Sequence, residues 1–196
     1  MKKNILVFTV VILSLTACTA QKGPLKGSGK IVNKIFDYKD FDKVQLQDLD
    51  GKVEIETGQS FSIAVAIDDN LENLLSVSVY NGELTIELKG NANNKLYIEE
   101  TNIAIKITMP ELSALKHRGN GNVYVNKLTG NNFTIKNTGN GNIFLNGDIE
   151  KLAISSGGNG MVNAEKLLAA SVNVNRSGNG NVIINTNNTF NATSSG

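Results

Sequence analysis

A four-residue phrase, Gly119-Asn120-Gly121-Asn122, returns as Gly139-Asn140-Gly141-Asn142, Gly158-Asn159-Gly160-Met161 and Gly178-Asn179-Gly180-Asn181. The steps are 20, 19 and 20 residues. Each copy leads into a short alternation: Val123-Tyr124-Val125, Ile143-Phe144-Leu145, Val162-Asn163-Ala164 and Val182-Ile183-Ile184. A turn signal at a fixed period near 20, each followed by a β-rich segment, is the mark of stacked repeats. One coil cannot bury its own inside, but coils stacked ~4.8 Å apart can.

Aligned on the first glycine, the copies place Val123, Ile143, Val162 and Val182 in one column. Two residues later stand Val125, Leu145, Ala164 and Ile184. Both columns point the same way on a strand and are expected inside. A second apolar pair follows, Phe133/Ile135, Leu152/Ile154 and Val172/Val174, and a looser column holds Leu128, Ile149 and Leu167. Parallel crossovers are right-handed as a rule. The expected fold is therefore all-β, a right-handed parallel β-helix, or solenoid, with coils of about 20 residues.

The glycine phrase itself reads as the corner of each coil. Glycine accepts positive φ freely, and asparagine is among the few other residues that tolerate it. The structural turns are accordingly Gly119, Asn120 and Gly121; Gly139, Asn140 and Gly141; Gly158, Asn159 and Gly160; Gly178, Asn179 and Gly180. Stacked asparagines are expected to bond amide to amide from coil to coil. A second column, Asn126, Asn146 and Asn185 with Glu165 in the third coil, invites the same reading. A calcium repeat has period nine and supplies carboxylates, and this turn holds no Asp, so no metal site is expected here.

Residues 31–110 alternate like strands without a strict repeat, giving a less regular N-terminal half. Asn81-Gly82 between two such runs signals a hairpin. A helical turn is plausible only over residues 68–75, with Leu71, Leu74 and Leu75 on one side. Pro110 cannot donate to a ladder and suits a strand end. The regular repeats run over 112–196.

The N-terminus reads as a targeting segment. Lys2 and Lys3 precede an apolar run over residues 5–15, too short to span a bilayer comfortably. Leu15-Thr16-Ala17-Cys18 then resembles the lipobox of bacterial lipoproteins. The resemblance implies a signal peptide over 1–17, cleavage between Ala17 and Cys18, and diacylglycerol and fatty acyl (palmitate-type) modification of Cys18. Several acyl chains make a stable membrane anchor where one would be marginal. Residues 18–30 carry Gly, Pro and Lys with one large apolar residue, as expected of a flexible tether. The domain proper is placed at 31–196.

Nineteen basic and 18 acidic residues leave no general pull toward nucleic acid. A single Cys and a single His exclude an intramolecular disulfide and a multi-histidine zinc site within one chain. The only His, His117, sits beside the first glycine phrase without an evident nucleophile, and is read as an exposed turn residue. In the repeats, Asp148 and Glu150 share a coil and Glu165 lies in the next; these carboxylates read as solvated surface charge rather than the clustered pair a glycosidase needs. No catalytic residue and no cofactor are assigned. The alternative is a polysaccharide-active β-helix enzyme, a lyase or hydrolase, supported by fold analogy alone.

Between the inward columns stand Tyr124, Phe144, Asn163 and Ile183, three of them large and apolar. By alternation they face outward. Tyr124, Phe144 and Ile183 are therefore the candidate partner surface, a sugar-stacking strip or a protein contact; packing under a neighbouring loop is the competing reading. Residues 188–196 align with 131–139, so Gly196 stands where a fifth glycine phrase would begin. Either the stack continues in a longer protein, or its last coil is open to another chain.

With these residues in view, the chain from about Gly29 onward resembles the family called putative auto-transporter adhesin, head GIN domain. The resemblance rests on Phe41-Asp42-Lys43-Val44 followed by Val53-Glu54-Ile55-Glu56-Thr57-Gly58, and on Met109-Pro110-Glu111-Leu112-Ser113-Ala114-Leu115 leading into Gly119-Asn120-Gly121. It implies an exported, often lipid-anchored β-helix of Gram-negative envelopes; Thr19 after the Cys, with no acidic run, resembles lipoproteins of the outer membrane, which is the expected location. The expected function is a non-catalytic binding, adhesin-like or structural module. Its expected partners are the membrane through the N-terminal lipid, an envelope protein or glycan, or another copy of itself.

Overall fold

The computed structural model describes residues 24–90 and 98–195. The signal segment, Ala17 and Cys18 lie outside them, as does Gly196. Within them the protein is all-β. One twelve-stranded sheet curls nearly closed around a single apolar core. A separate pair joins β1 (Leu25–Lys26) in parallel to β8 (Ile98–Glu99). The end of the expected tether is thus bound to the domain. Gly29 N–H donates to Asp68 Oδ1 at 2.8 Å, and Ser28 Oγ donates to Asp69 Oδ1 at 2.6 Å.

The N-terminal half forms the base. β2 (Ile31–Phe36), β5 (Ser62–Asp68) and β9 (Ile103–Met109) run antiparallel in that order. A short 3-10 helix, Asp69–Leu74, buries Leu71 and leads into β6 (Leu75–Tyr80), which pairs antiparallel with β7 (Glu83–Leu88). The turn between them holds Asn81 at φ 48° and Gly82 at φ 73°, both left-handed, as a two-residue hairpin with native twist requires. β9 stops at Met109, and the Pro110 carbonyl accepts Gly58 N–H at 2.9 Å.

The parallel pairing begins earlier than the repeat in the sequence. β3 (Lys43–Gln47) and β4 (Lys52–Thr57) flank the turn at Asp48–Gly51. β10 (Ala114–Arg118) lies parallel on β3, and β11 (Asn122–Asn137) parallel on β4. Then β12 (Ile143–Ser156), β13 (Val162–Arg176) and β14 (Val182–Ser194) add in parallel, each on the last. In register, Val53, Val123, Ile143, Val162 and Val182 form one column. Its first four members are buried. Each such side chain contributes roughly 1.5–3 kcal/mol on burial, and alternation places every second residue of a strand among them. The parallel pairing across 19–20-residue steps is what the repeat predicts.

The glycines of the corners have a different reason from the one read in the sequence. None of the eight in the Gly-Asn-Gly phrases has positive φ, nor do their asparagines. The corners that turn left-handed are elsewhere in the coil, at Lys127 (φ 57°), Gly130 (φ 138°) and Gly147 (φ 143°). What excludes a side chain from the phrase is the turn beneath it. A Cβ on Gly119 would stand 2.7 Å from the Leu49 carbonyl oxygen, and one on Gly121 2.6 Å from that of Gly51. At Gly139, Gly141, Gly158, Gly160, Gly178 and Gly180 the carbonyl oxygen of the glycine one coil below comes closer still. Backbone stacks on backbone there, and only glycine leaves room.

The asparagines between those glycines form an amide ladder. Asn140 Nδ2 donates to Asn120 Oδ1 at 3.0 Å, Asn159 to Asn140 at 2.8 Å, and Asn179 to Asn159 at 3.1 Å. The second expected column does not form a ladder. Register shifts follow Val125, Phe144 and Ala164, so Asn146 stands opposite Lys166 and Asn185 opposite Leu168. Asn185 Nδ2 reaches the Glu165 carbonyl instead, at 3.3 Å.

Candidate functional site

The outward face of the strands that follow the turns carries one continuous row. Pairing runs from Ile35 to Ala64, Lys106, Glu54, Tyr124, Phe144, Asn163 and Ile183. The three residues singled out in the sequence are therefore on one face. Tyr124 and Phe144 are adjacent and stacked, with ring centroids 4.9 Å apart and planes 11° apart. Ile183 is two strands beyond Phe144, with Asn163 between them, and is 40% exposed. Tyr124 and Phe144 are half-buried by each other and by their neighbours.

The two rings are in different surroundings on their outer sides. Below Tyr124, Lys52 Nζ sits 5.3 Å from the ring centroid while also pairing with Glu54. The ring's negative face favours that cation, and the Glu54 carboxylate raises the Lys52 pKa above its ordinary value. Above Phe144 the next residue is only an asparagine. A groove of about 340 Å³ opens there, with Tyr124 and Phe144 on one side and Asn163, Glu165 and Lys166 on the other. Asn126 and Asn146 line its rim. Asn163 Oδ1 accepts the Glu165 N–H at 2.9 Å, which fixes the amide and leaves its NH₂ as a donor.

Other candidates are not brought to the groove. Asp148 and Glu150 are exposed two residues apart on β12. Among the described residues no three His, Cys, Asp or Glu side chains stand close enough to hold a metal ion. Asp42 accepts from Ser113 Oγ at 2.6 Å, and Asp48 pairs with Arg118 at 2.7 Å, so these two carboxylates tie the ends of β3 to those of β10.

His117 is the clearest departure from the sequence reading. It is 2% exposed, not an exposed turn residue. Register places it above Leu46 and below Asn137, and Ser156 follows Asn137. His117 Nδ1 and Asn137 Oδ1 are 3.0 Å apart; Asn137 Oδ1 also accepts Gly139 N–H at 3.2 Å. Ser156 is 1% exposed, and its hydroxyl has no partner among the described residues. Burial pushes the His117 pKa down, against the opposing pull of Asn137 and the Gly121 backbone. The alternation Leu115, His117 against Lys116, Arg118 was the available signal: His117 shares parity with a core leucine.

Asp68 is a second buried ionisable group that the sequence did not mark. It is fully buried at the end of β5. Burial pushes its carboxyl up, but N–H donors from Asn102 (2.6 Å) and Gly29 (2.8 Å), with the Asn102 amide (3.2 Å), together hold it below the usual carboxylate range. It clasps the segment entering from the N-terminus.

Known proteins place this architecture. No curated protein sequence matches the chain. Among solved structures, a putative adhesin from Bacteroides fragilis NCTC 9343 is similar at 20% identity, with 87% of each chain covered and a TM-score of 0.70. A structure described as a putative lipid binding protein, from Parabacteroides distasonis ATCC 8503, is 19% identical over 89% of this chain and 97% of its own, with a TM-score of 0.56. At such identities the likeness concerns the fold. The family model described as "Putative auto-transporter adhesin, head GIN domain" matches residues 40–196, beginning just before β3. The chain belongs to that family.

Proposed function

We propose that the protein is a non-catalytic, lipid-anchored module of the bacterial cell envelope. In this reading it is a right-handed parallel β-helix that engages a partner through the face of Tyr124, Phe144 and Ile183. The family's adhesin description and the parallel pairing at 19–20-residue steps support it. The observation that carries it is the stacked Tyr124–Phe144 pair, held half-exposed on a rigid sheet beside an open groove. Aromatic side chains with one accessible side, on strands rather than loops, are pre-organised contacts. Anchoring at Cys18 would hold the face near the membrane, with the outer membrane as its place.

Beads coated with the mature protein should adhere to intact bacterial cells. The double substitution Tyr124→Ser, Phe144→Ser should cut adherence severalfold with little change in the circular dichroism spectrum. Equal adherence of the double variant would overturn the reading of this face. Cys18→Ser should move the protein out of the membrane fraction; continued membrane association would remove the lipid anchor from the proposal. The enzymatic alternative requires new reducing or unsaturated ends from acidic or neutral polysaccharides, lost on Asp148→Asn or Glu150→Gln.

A further inference from the structure

We infer that the base end of the molecule is a membrane-docking face, seated on the bilayer that holds the Cys18 lipid. This rests on the proposed anchor. The pairing path fixes where that end is. From β2 it runs through β5, β9, β4 and β11, and from β6 through β7, β3, β10 and β11; both arms continue through β12 and β13 to β14. β2 and β6 are thus equally far from β14, ~34 Å along the sheet at ~4.8 Å per pairing. They are the bottom strands on two sides of one stack. Tyr38, just past β2, donates its hydroxyl to the Val77 carbonyl of β6 at 3.2 Å and joins the two.

Exposed apolar side chains gather at this end. Ile35 on β2 is 82% exposed and Tyr80 on β6 77%, and Ile31 and Tyr38 are exposed beside them. Among the described residues, the other large apolar side chains that are exposed are Leu168, Ile183 and Phe190, on β13 and β14. Reach separates the two groups. The segment entering the domain is bound at the base: the Lys26 carbonyl accepts Asn70 Nδ2 at 2.8 Å, from the 3-10 helix that leads into β6. The chain from Cys18 to Pro24 spans at most ~22 Å in any conformation. The anchor therefore holds the base near the bilayer, while β14 is further from the base than the tether is long.

The chemistry of the end fits a lipid surface. Isoleucine carries apolar area to the acyl boundary, and tyrosine places an apolar ring there with its hydroxyl among the headgroups. β6 has no charged residue, and the one charge of β2, Lys34, pairs with Glu72. Lys30 pairs with Asp69 at 3.4 Å and Lys39 with Asp37 at 3.2 Å. Asp40, two residues past Tyr38, and Lys89, whose N–H donates to the Leu74 carbonyl before β6, are exposed without a salt bridge among the described residues, and their charges are opposite. No excess of cations awaits an anionic lipid, so apolar insertion carries the contact. Seated this way, the stack stands upright. The Tyr124–Phe144 pair is then held ~19–24 Å above β2, clear of the headgroups.

The chain has no Trp, so one introduced Trp is a unique probe. The full acylated chain would be reconstituted in phosphatidylcholine vesicles with and without brominated acyl chains. Ile35→Trp and Tyr80→Trp are expected to shift their emission to the blue and to lose about half of it or more to the bromine. Phe144→Trp and Phe190→Trp should stay unquenched. Ile35→Asp should reduce the quenching at Tyr80→Trp about twofold, because one seat holds both, and Ile35→Leu should keep it. Quenching at Phe144→Trp or Phe190→Trp equal to that at Ile35→Trp would overturn the upright seat. So would a blue shift at Ile35→Trp without quenching, the sign of a second copy covering the end, or no change at all. Quenching that appears only with added phosphatidylglycerol would overturn the apolar account. Cys18→Ser separates the two readings. Membrane association lost in Cys18→Ser, with no quenching of Ile35→Trp in the acylated chain, keeps the anchor and removes the seat; quenching of Ile35→Trp that persists in Cys18→Ser removes the anchor and keeps the seat.

Discussion

Residues 43–57 and the coils above them follow one path, yet only the upper coils are written as a repeat. In the base, the turn at Asp48–Gly51 uses a left-handed residue, Asp48 at φ 53°. Leu49 takes the place of the first glycine and is buried. Only Gly51 is kept, and the Ile103 carbonyl crowds it from below. In the upper coils each turn lies on another of the same shape, and both glycines become obligatory. The difference teaches that the repeat records what a turn stacks on. A turn lying on its own copy repeats its sequence; the turn of residues 48–51, whose flanking strands lie in parallel on β7 and β9, need not. The polar interior divides the same way. The base buries a carboxylate, Asp68, satisfied by backbone N–H groups, while the upper coils bury His117, Asn137 and Ser156 in one column.

The largest expected effect comes from the stacked turns. Gly141→Ala sets a methyl against the Gly121 carbonyl and should cost about 3 kcal/mol or more in urea unfolding. Gly82→Ala in the base, where the strain is a positive φ with room for the methyl, should cost only about 1 kcal/mol. Equal costs would dissolve the distinction between close approach and conformation.

Next is the clasp in the base. Asp68→Ala orphans the Gly29 and Asn102 N–H groups and should cost about 2–3 kcal/mol. Hydrogen exchange should rise first at Gly29 and Asn102; a uniform rise over β12 and β13 would show that base and coils are not separable. Its folded pKa lies below the unfolded value, so its stabilisation is present above about pH 4 and is lost as the pH falls through the folded pKa.

Asn140→Ala breaks two rungs of an exposed ladder and should cost about 1 kcal/mol in thermal unfolding. The smallest effect is the acid response of the junction. The folded pKa of His117 is depressed, so between it and about 6.5 the unfolded chain binds the extra proton and acidification favours unfolding. The melting temperature should therefore decline as pH falls below about 6.5, and His117→Leu, matching Leu46 beneath it, should flatten that decline. A decline unchanged in His117→Leu would place the acid sensitivity elsewhere.

Much of the architecture was legible in the residues. The period gave the spacing of the parallel strands, the alternation gave the inward columns, and Asn81-Gly82 gave the hairpin, because each is set by local geometry. The first coil was missed: Asp50-Gly51 before Lys52-Val53-Glu54-Ile55 follows the same pattern as Gly121 before Asn122-Val123-Tyr124-Val125, but one copy without its glycine-asparagine frame carries little period. The Asn126, Asn146 and Asn185 column failed because bulges shift register between coils, which spacing along the chain does not record.

The sequence by itself determined that Tyr124, Phe144 and Ile183 share an outward face, since alternation and period are properties of the chain. Tertiary structure alone decided that the two rings stack while an asparagine leaves a groove above them, because that depends on register and on what each coil lies against. It also decided that the corner glycines answer to the carbonyl beneath rather than to their own φ. The steric demand comes from a neighbour about 20 residues away, and a residue's type does not reveal which neighbour imposes it.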